Sequence, residues 1–190
     1  MIRLAANLSF LFTEVPFRDR FPAAAAAGFR DVEWKFAYDV ANADLARLLR
    51  DNGQALCLLN TPPGDLAAGE LGLGAVPGRA AECADGFARA LEQAVALEAP
   101  LIHFLAGYPP AGADPAAIDD LFLENMTRAA DLAAGAGVAI TLEPLNRRDR
   151  SGYHLATVDH ALRLIALAGR PNIRLQLDLY HCQITEGDIT

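Results

Sequence analysis

Cysteine is scarce in this chain, and no two of its three cysteines stand close together. Cys57, Cys83 and Cys182 form an odd, widely spaced set without a CxxC pair. This argues against a disulfide framework and fits reduced thiols in a cytoplasmic protein. Long apolar runs are also missing. Pro, Gly and charged residues interrupt every stretch before the roughly 18 apolar residues of a membrane span are reached. The segment Met1–Ser9 has too short an apolar core for a signal peptide. Positive charge is in short supply: 16 Lys and Arg stand against 24 Asp and Glu, a net charge of −8. A nucleic-acid or anionic-membrane surface needs clustered cations, so both partners are excluded. No GxGxxG or GxxxxGK[ST] follows an apolar run, so the usual nucleotide signals of doubly wound sheets are absent. What remains is 190 residues of ordinary globular composition, 53% hydrophobic and 21% charged. That is enough for one core in a single domain, residues 1–190.

Along the chain, apolar strand-like runs alternate with helix-like segments. Ile2–Leu8, Phe29–Trp34, Ala55–Asn60, Leu101–Ala106, Val138–Leu142 and Ile173–Leu177 read as strands. Between them, helices are expected over Phe17–Ala27, around Asp44–Arg50 with Gly53 as its stop, over Arg79–Leu97, from Asp114-Pro115 to about Ala134, and over Thr157–Ala168. Pro22 is awkward inside the first, which should start late or kink there. Thr61–Gly78, rich in Pro and Gly, is too long for a plain connector and reads as a functional loop. Strict alternation indicates a parallel α/β sheet. Polar residues at the ends of strands, among them Asn7, Glu33, Asn60, Glu143 and Asp178, fit the mouth of a (β/α)8 TIM barrel, of which about six of the eight β/α units are present here.

Two of those acids carry the chemistry. Glu143 ends the run Gly137-Val-Ala-Ile-Thr-Leu, Asp178 ends Asn172-Ile-Arg-Leu-Gln-Leu, and they lie 35 positions apart, one β/α repeat. Acids at the C-terminal ends of neighbouring parallel strands converge on one mouth, which points to metal binding or proton transfer. A carboxylate of raised pKa can take a proton as a base and return it as the conjugate acid. Oxygen ligands of this kind suit Mg²⁺ or Mn²⁺.

Several segments carry a resemblance to a known family: Ala6-Asn-Leu-Ser9 with Phe12-Thr-Glu-Val-Pro16, Asn60-Thr-Pro-Pro-Gly-Asp65 with Ala68-Gly-Glu70 and Pro77-Gly-Arg79, Glu143-Pro-Leu-Asn146, and Asp178-Leu-Tyr-His181. Together they resemble the hydroxypyruvate isomerase family of xylose-isomerase-like TIM barrels, over essentially the whole chain. The 2-oxo-tetronate isomerase branch shares most of these features, and Glu-Pro-Leu-Asn-Arg is similar to ketose 3-epimerases of the same superfamily. The resemblance implies that Glu143 is catalytic and a metal ligand, with Asp178 a second ligand. It implies substrate contacts from His181, Asn146, Arg147, Glu70 and Asn7. It also implies two further ligands on a seventh and an eighth strand, neither of which is present in this chain; the eighth-strand glutamate is the second proton carrier.

The expected activity is therefore conversion of hydroxypyruvate to 2-hydroxy-3-oxopropanoate by an isomerase, with a homo-oligomer as one option for its assembly and with 2-oxo-tetronate isomerisation or ketose 3-epimerisation as the alternatives. A DNA-repair nuclease of the same superfamily is disfavoured by the acidic charge and by only four histidines. A third reading is a non-catalytic barrel fragment, which with two open strand edges would be poorly soluble, need a partner or belong to a longer chain. His103 reads as a satisfied core or mouth residue, His154 and His160 as surface or helix-face residues, and Trp34 and Phe36 as core packing or a pocket wall.

Overall fold

The computed structural model describes residues 3–187. Six strands, β1 (Ala5–Asn7), β2 (Asp31–Trp34), β3 (Ala55–Asn60), β4 (Leu101–His103), β5 (Ala139–Leu142) and β6 (Ile173–Leu175), form one sheet in the order of the sequence. Every pairing is parallel. The crossovers carry α1 (Arg20–Ala26), α2 (Asn42–Asp51), α3 (Ala80–Ala96), α4 (Pro115–Gly135) and α5 (Val158–Ala168), and α6 (Leu179–Glu186) follows β6. Among the described residues the sheet is an open partial barrel, with β1 and β6 each paired on one side.

The local chemistry accounts for the boundaries. Pro22 is tolerated because the segment begins with a 3₁₀ turn over Phe17–Asp19, so α1 starts at Arg20 and Pro22 falls in its first turn. Backbone N–H groups there have no partner within the helix to lose. Asp114 caps α4, accepting from the Ala116 N–H at 3.2 Å, with Pro115 at the first helical position. Thr157 caps α5 by accepting from the His160 N–H, and Gly169 closes it in the left-handed conformation.

Strands are shorter than their apolar runs at five of the six sites; beyond β4 the flanking residues leave the ladder while staying in the core, with Phe104, Leu105 and Ala106 all buried. The first expected strand begins at Ile2, which lies outside the described residues. Helix α6 is not anticipated by the apolar pattern, and none of its residues is buried.

The core is one apolar cluster between sheet and helices. On α3, Cys83, Phe87, Ala90 and Ala94 recur at helical spacing and face inward. Phe104 beyond β4 stands between Phe87 of α3 and Phe122 of α4, with ring centroids 6.0 and 5.7 Å away. Such aromatic pairs add to the burial of each ring.

All three cysteines are free thiols. Burial pushes the Cys57 thiol up to about 12 and the Cys83 thiol up to about 11. The thiolate is the reactive form, so iodoacetamide at pH 8 is expected to label neither residue in the folded protein. Stoichiometric labelling of Cys57 or Cys83 under native conditions, read by peptide mass, contradicts this. Denaturant should expose all three.

Candidate active site

The C-terminal ends of the strands surround a cavity of about 520 Å³. Its polar lining comes from successive strand ends: Asn7 at the end of β1, Glu33 and Lys35 at β2, Asn60 at β3, His103 at β4, and Glu143 after β5. Gln176 and Asp178 follow β6. Parallel strands bring these ends to one side because each enters the sheet in the same direction.

Glu143 is the most perturbed acid of the group. Its side chain is 14% exposed. Burial, followed by the negative charge of Asp178, pushes its carboxyl up to about 8, against a hydrogen bond from Gln176. A carboxyl poised near neutral pH can both take and give a proton. Asp178 caps α6, accepting from the His181 N–H at 3.0 Å. Ligand atoms of Glu143, Asp178 and His181 lie within 4.8 Å of one another.

His181 is held by Asn146. The Asn146 backbone N–H donates to Nδ1 at 3.2 Å, and Asn146 Nδ2 lies 2.6 Å from the same atom. With Nδ1 accepting, the ring proton sits on Nε2, which makes His181 a hydrogen-bond donor rather than a metal ligand. The two carboxylates are then the ligand pair within this cluster.

His103 departs from the satisfied residue expected of a histidine inside an apolar run. Its side chain is 2% exposed, both ring nitrogens lack hydrogen-bond partners, and Nδ1 is 3.3 Å from Glu143 Oε2. Burial lowers its pKa to about 3. The contact at pH 7 is therefore between a neutral imidazole and a carboxyl held high, not an ion pair. Two orphaned ring nitrogens on a cavity wall are available to a bound molecule.

Three residues expected to contact substrate stand off the cavity wall. Asn146 is completely buried and spends its side chain on His181 and Asp149, whose N–H donates to Asn146 Oδ1 at 2.9 Å. It positions the mouth rather than lining it. Arg147 is exposed and off the cavity wall, where Arg150 stands instead. Glu70 in the long loop accepts from Arg79 Nη1 at 2.8 Å and from the Asp65 N–H at 2.7 Å. It is a loop brace away from the cavity lining. Asn7 does line the cavity and donates to Glu33 Oε1 at 2.8 Å. Trp34 reaches the wall, whereas Phe36 does not. Lys35, Arg150 and Gln176 were not singled out by the sequence, and Glu33, whose carboxyl is raised by burial, was read only as a polar strand end at the mouth. Their position at or just beyond a strand end was the available signal for Glu33, Lys35 and Gln176.

Residues 21–190 match the family model described as xylose isomerase-like TIM barrel. The chain belongs to that family. A 2-oxo-tetronate isomerase of Cupriavidus necator is 47% identical over 189 residues, spanning 100% of this chain and 73% of that protein. The hydroxypyruvate isomerase of Escherichia coli is 41% identical over 190 residues, spanning 100% of this chain and 74% of its own length. A crystal structure from Brucella melitensis described as AP endonuclease, family 2, superposes with a TM-score of 0.96 at 44% identity, covering 100% of this chain and 73% of that one. In this xylose isomerase-like barrel the donor set at the mouth fits a hard divalent cation: two carboxylates from adjacent strand ends, close enough to share one ion.

Proposed function

We propose that this xylose isomerase-like barrel, as a single domain, isomerises small hydroxy-carbonyl acids. Hydroxypyruvate and 2-hydroxy-3-oxopropanoate are the leading pair, and 2-oxo-tetronates the alternative. The observation that carries the reading is the convergence of Glu143 and Asp178 on one cavity, in a chain similar over its whole length to proteins named for both activities. The cavity wall adds support. Lys35 and Arg150 are its two cations, close enough that the Arg150 charge helps burial to lower the Lys35 pKa. A substrate carboxylate between them would satisfy both.

Glu143, facing the bound substrate, takes the proton from the carbon next to the carbonyl, leaving an enediolate. The protonated Glu143 returns that proton to the neighbouring carbon while the hydroxyl proton passes between the two oxygens, which completes the exchange. His181 Nε2–H donates to a substrate oxygen, and His103 holds another through its free ring nitrogen. Glu143 and Asp178 would hold Mg²⁺ or Mn²⁺, which when bound supplies positive charge to polarise the substrate oxygens and offset the developing negative charge. The AP endonuclease name of the Brucella neighbour suggests DNA instead, but a net charge of −8 disfavours a phosphate backbone as partner. With three free thiols and no described helix long and apolar enough to cross a membrane, we place the protein in the cytoplasm.

The test is turnover of hydroxypyruvate and of a 2-oxo-tetronate, each with Mg²⁺, with Mn²⁺ and after chelation. The expected result is at least a tenfold preference in kcat/KM for one substrate and at least a tenfold loss of turnover on chelation. No turnover of either substrate with either cation overturns the reading.

A further inference from the structure

A second constellation stands away from the barrel mouth, on the outer helical layer. Asp119 lies near the start of α4, His160 in the first turn of α5, and His154 on the connection between β5 and α5. Asp119 Oδ1 is 2.8 Å from His160 Nε2 and 3.2 Å from His154 Nε2. The other carboxylate oxygen, Oδ2, accepts from Arg163 Nη2 at 2.7 Å. The guanidinium thus fixes the carboxylate with Oδ1 turned toward both imidazoles.

The decisive atom is His154 Nε2. The His154 side chain is only 7% exposed, and Nε2 is buried without a hydrogen-bond partner although it faces Asp119 Oδ1. Its ring is packed against Phe122, centroids 5.4 Å apart, and against His160 at 5.1 Å, so it cannot turn freely to find another. A buried polar atom left unmatched gives up its bonds to water without replacement, which costs stability. Such an atom, aimed into a cluster whose other members also present ligand atoms, marks a place where something else binds.

We propose that Asp119, His154 and His160 form a transition-metal site, with Zn²⁺ the fitting cation. Ligand atoms of the three residues lie within 4.8 Å of one another. Two imidazole nitrogens and one carboxylate oxygen suit a borderline cation and disfavour Mg²⁺ or Ca²⁺, which require oxygen shells. Asp119 and His160 are partly open to solvent, which leaves room for water as the fourth ligand. The bound ion would replace the His160–Asp119 hydrogen bond, join α4 to α5, and fasten the far end of the connection whose near end holds Glu143. This site does not depend on the function proposed for the mouth.

The experiment is calorimetric titration of the chelator-stripped chain with Zn²⁺, run on wild type, His160→Ala and Glu143→Gln, with circular dichroism to confirm folding. X-ray absorption counts imidazole ligands on the bound ion. Wild type and Glu143→Gln should share a Zn²⁺ site with two imidazoles, and His160→Ala should weaken it at least tenfold or lose it. Zn²⁺ should raise the Tm of wild type but not that of a folded His160→Ala. Equal Zn²⁺ affinity in wild type and His160→Ala, or one imidazole or none on the wild-type ion, overturns the proposal. His154→Asn is the second variant: equal affinity in its folded form also overturns it, and His160, being more exposed, remains testable if that variant fails to fold.

Discussion

Glu143→Gln is expected to lower kcat by about 10²- to 10⁴-fold, the usual contribution of a positioned acid–base group, while leaving the fold intact. Glutamine keeps the shape of the side chain but cannot carry a proton between carbons, and it gives up a carboxylate oxygen facing Asp178. Stability should hold or rise. The native carboxyl is held above its ordinary range by burial and by the Asp178 charge, so its ionised form is disfavoured where it sits. A neutral amide avoids that cost. Turnover and thermal unfolding measured on the same preparation check both halves. Wild-type turnover in the variant removes Glu143 from the chemistry, whereas lost turnover with a lowered Tm points to damage instead.

The largest stability effect is expected at Gly107. It adopts φ +90°, and a Cβ added there would stand 2.2 Å from the Gly72 carbonyl oxygen and 2.8 Å from its carbon. At this point the long loop crosses the chain just beyond β4. Gly72 and Ala106 form an antiparallel bridge, and Ala75 donates to the Ala106 carbonyl at 2.7 Å. The Gly107 carbonyl in turn accepts from the His154 N–H at 3.0 Å. Two backbones in direct contact cannot admit a methyl group by moving a side chain. Gly107→Ala therefore combines left-handed strain with a backbone clash, and a loss of about 3 kcal/mol or more is expected. Gly112→Ala is the control. It also has positive φ, but nothing lies within 4 Å of the added carbon, so its cost should stay near 1 kcal/mol. Urea unfolding of the two variants compares them directly, and equal losses would show that the contact with Gly72 carries no weight.

Much of the scaffold was legible because periodicity and caps act locally. β3 has the bounds its apolar run implies, and Asp114-Pro115 opens α4 as its residue types dictate. α6 was not legible from an apolar stripe, since it buries none of its residues; its sign was Asp178 itself, an N-cap as well as a candidate ligand. The acids of the site were readable because a carboxylate ending an apolar run is unusual. Arg147 is exposed and Arg150 lines the cavity; which of two arginines three residues apart faces inward depends on how the loop turns, and no local rule sets that. Glu70 stays off the wall for a related reason: the long loop folds onto itself through Arg79 and Asp65. His103 was masked by its apolar neighbours Ile102 and Phe104, which are buried as the pattern demands while the imidazole faces the mouth.

The in-order sheet has a consequence for biosynthesis. Among the described residues each strand hydrogen-bonds only to the strands made just before and just after it, so a nascent chain emerging N-terminus first can lay down β1 to β4 in order. Glu143, Asp178 and His181 all lie later, on the last two β/α units described. The wall that carries Asn7, Glu33, Asn60 and His103 can stand before the acids arrive. The reactive half of the mouth is then fitted onto a finished half, and its geometry is inherited from strands that have already packed.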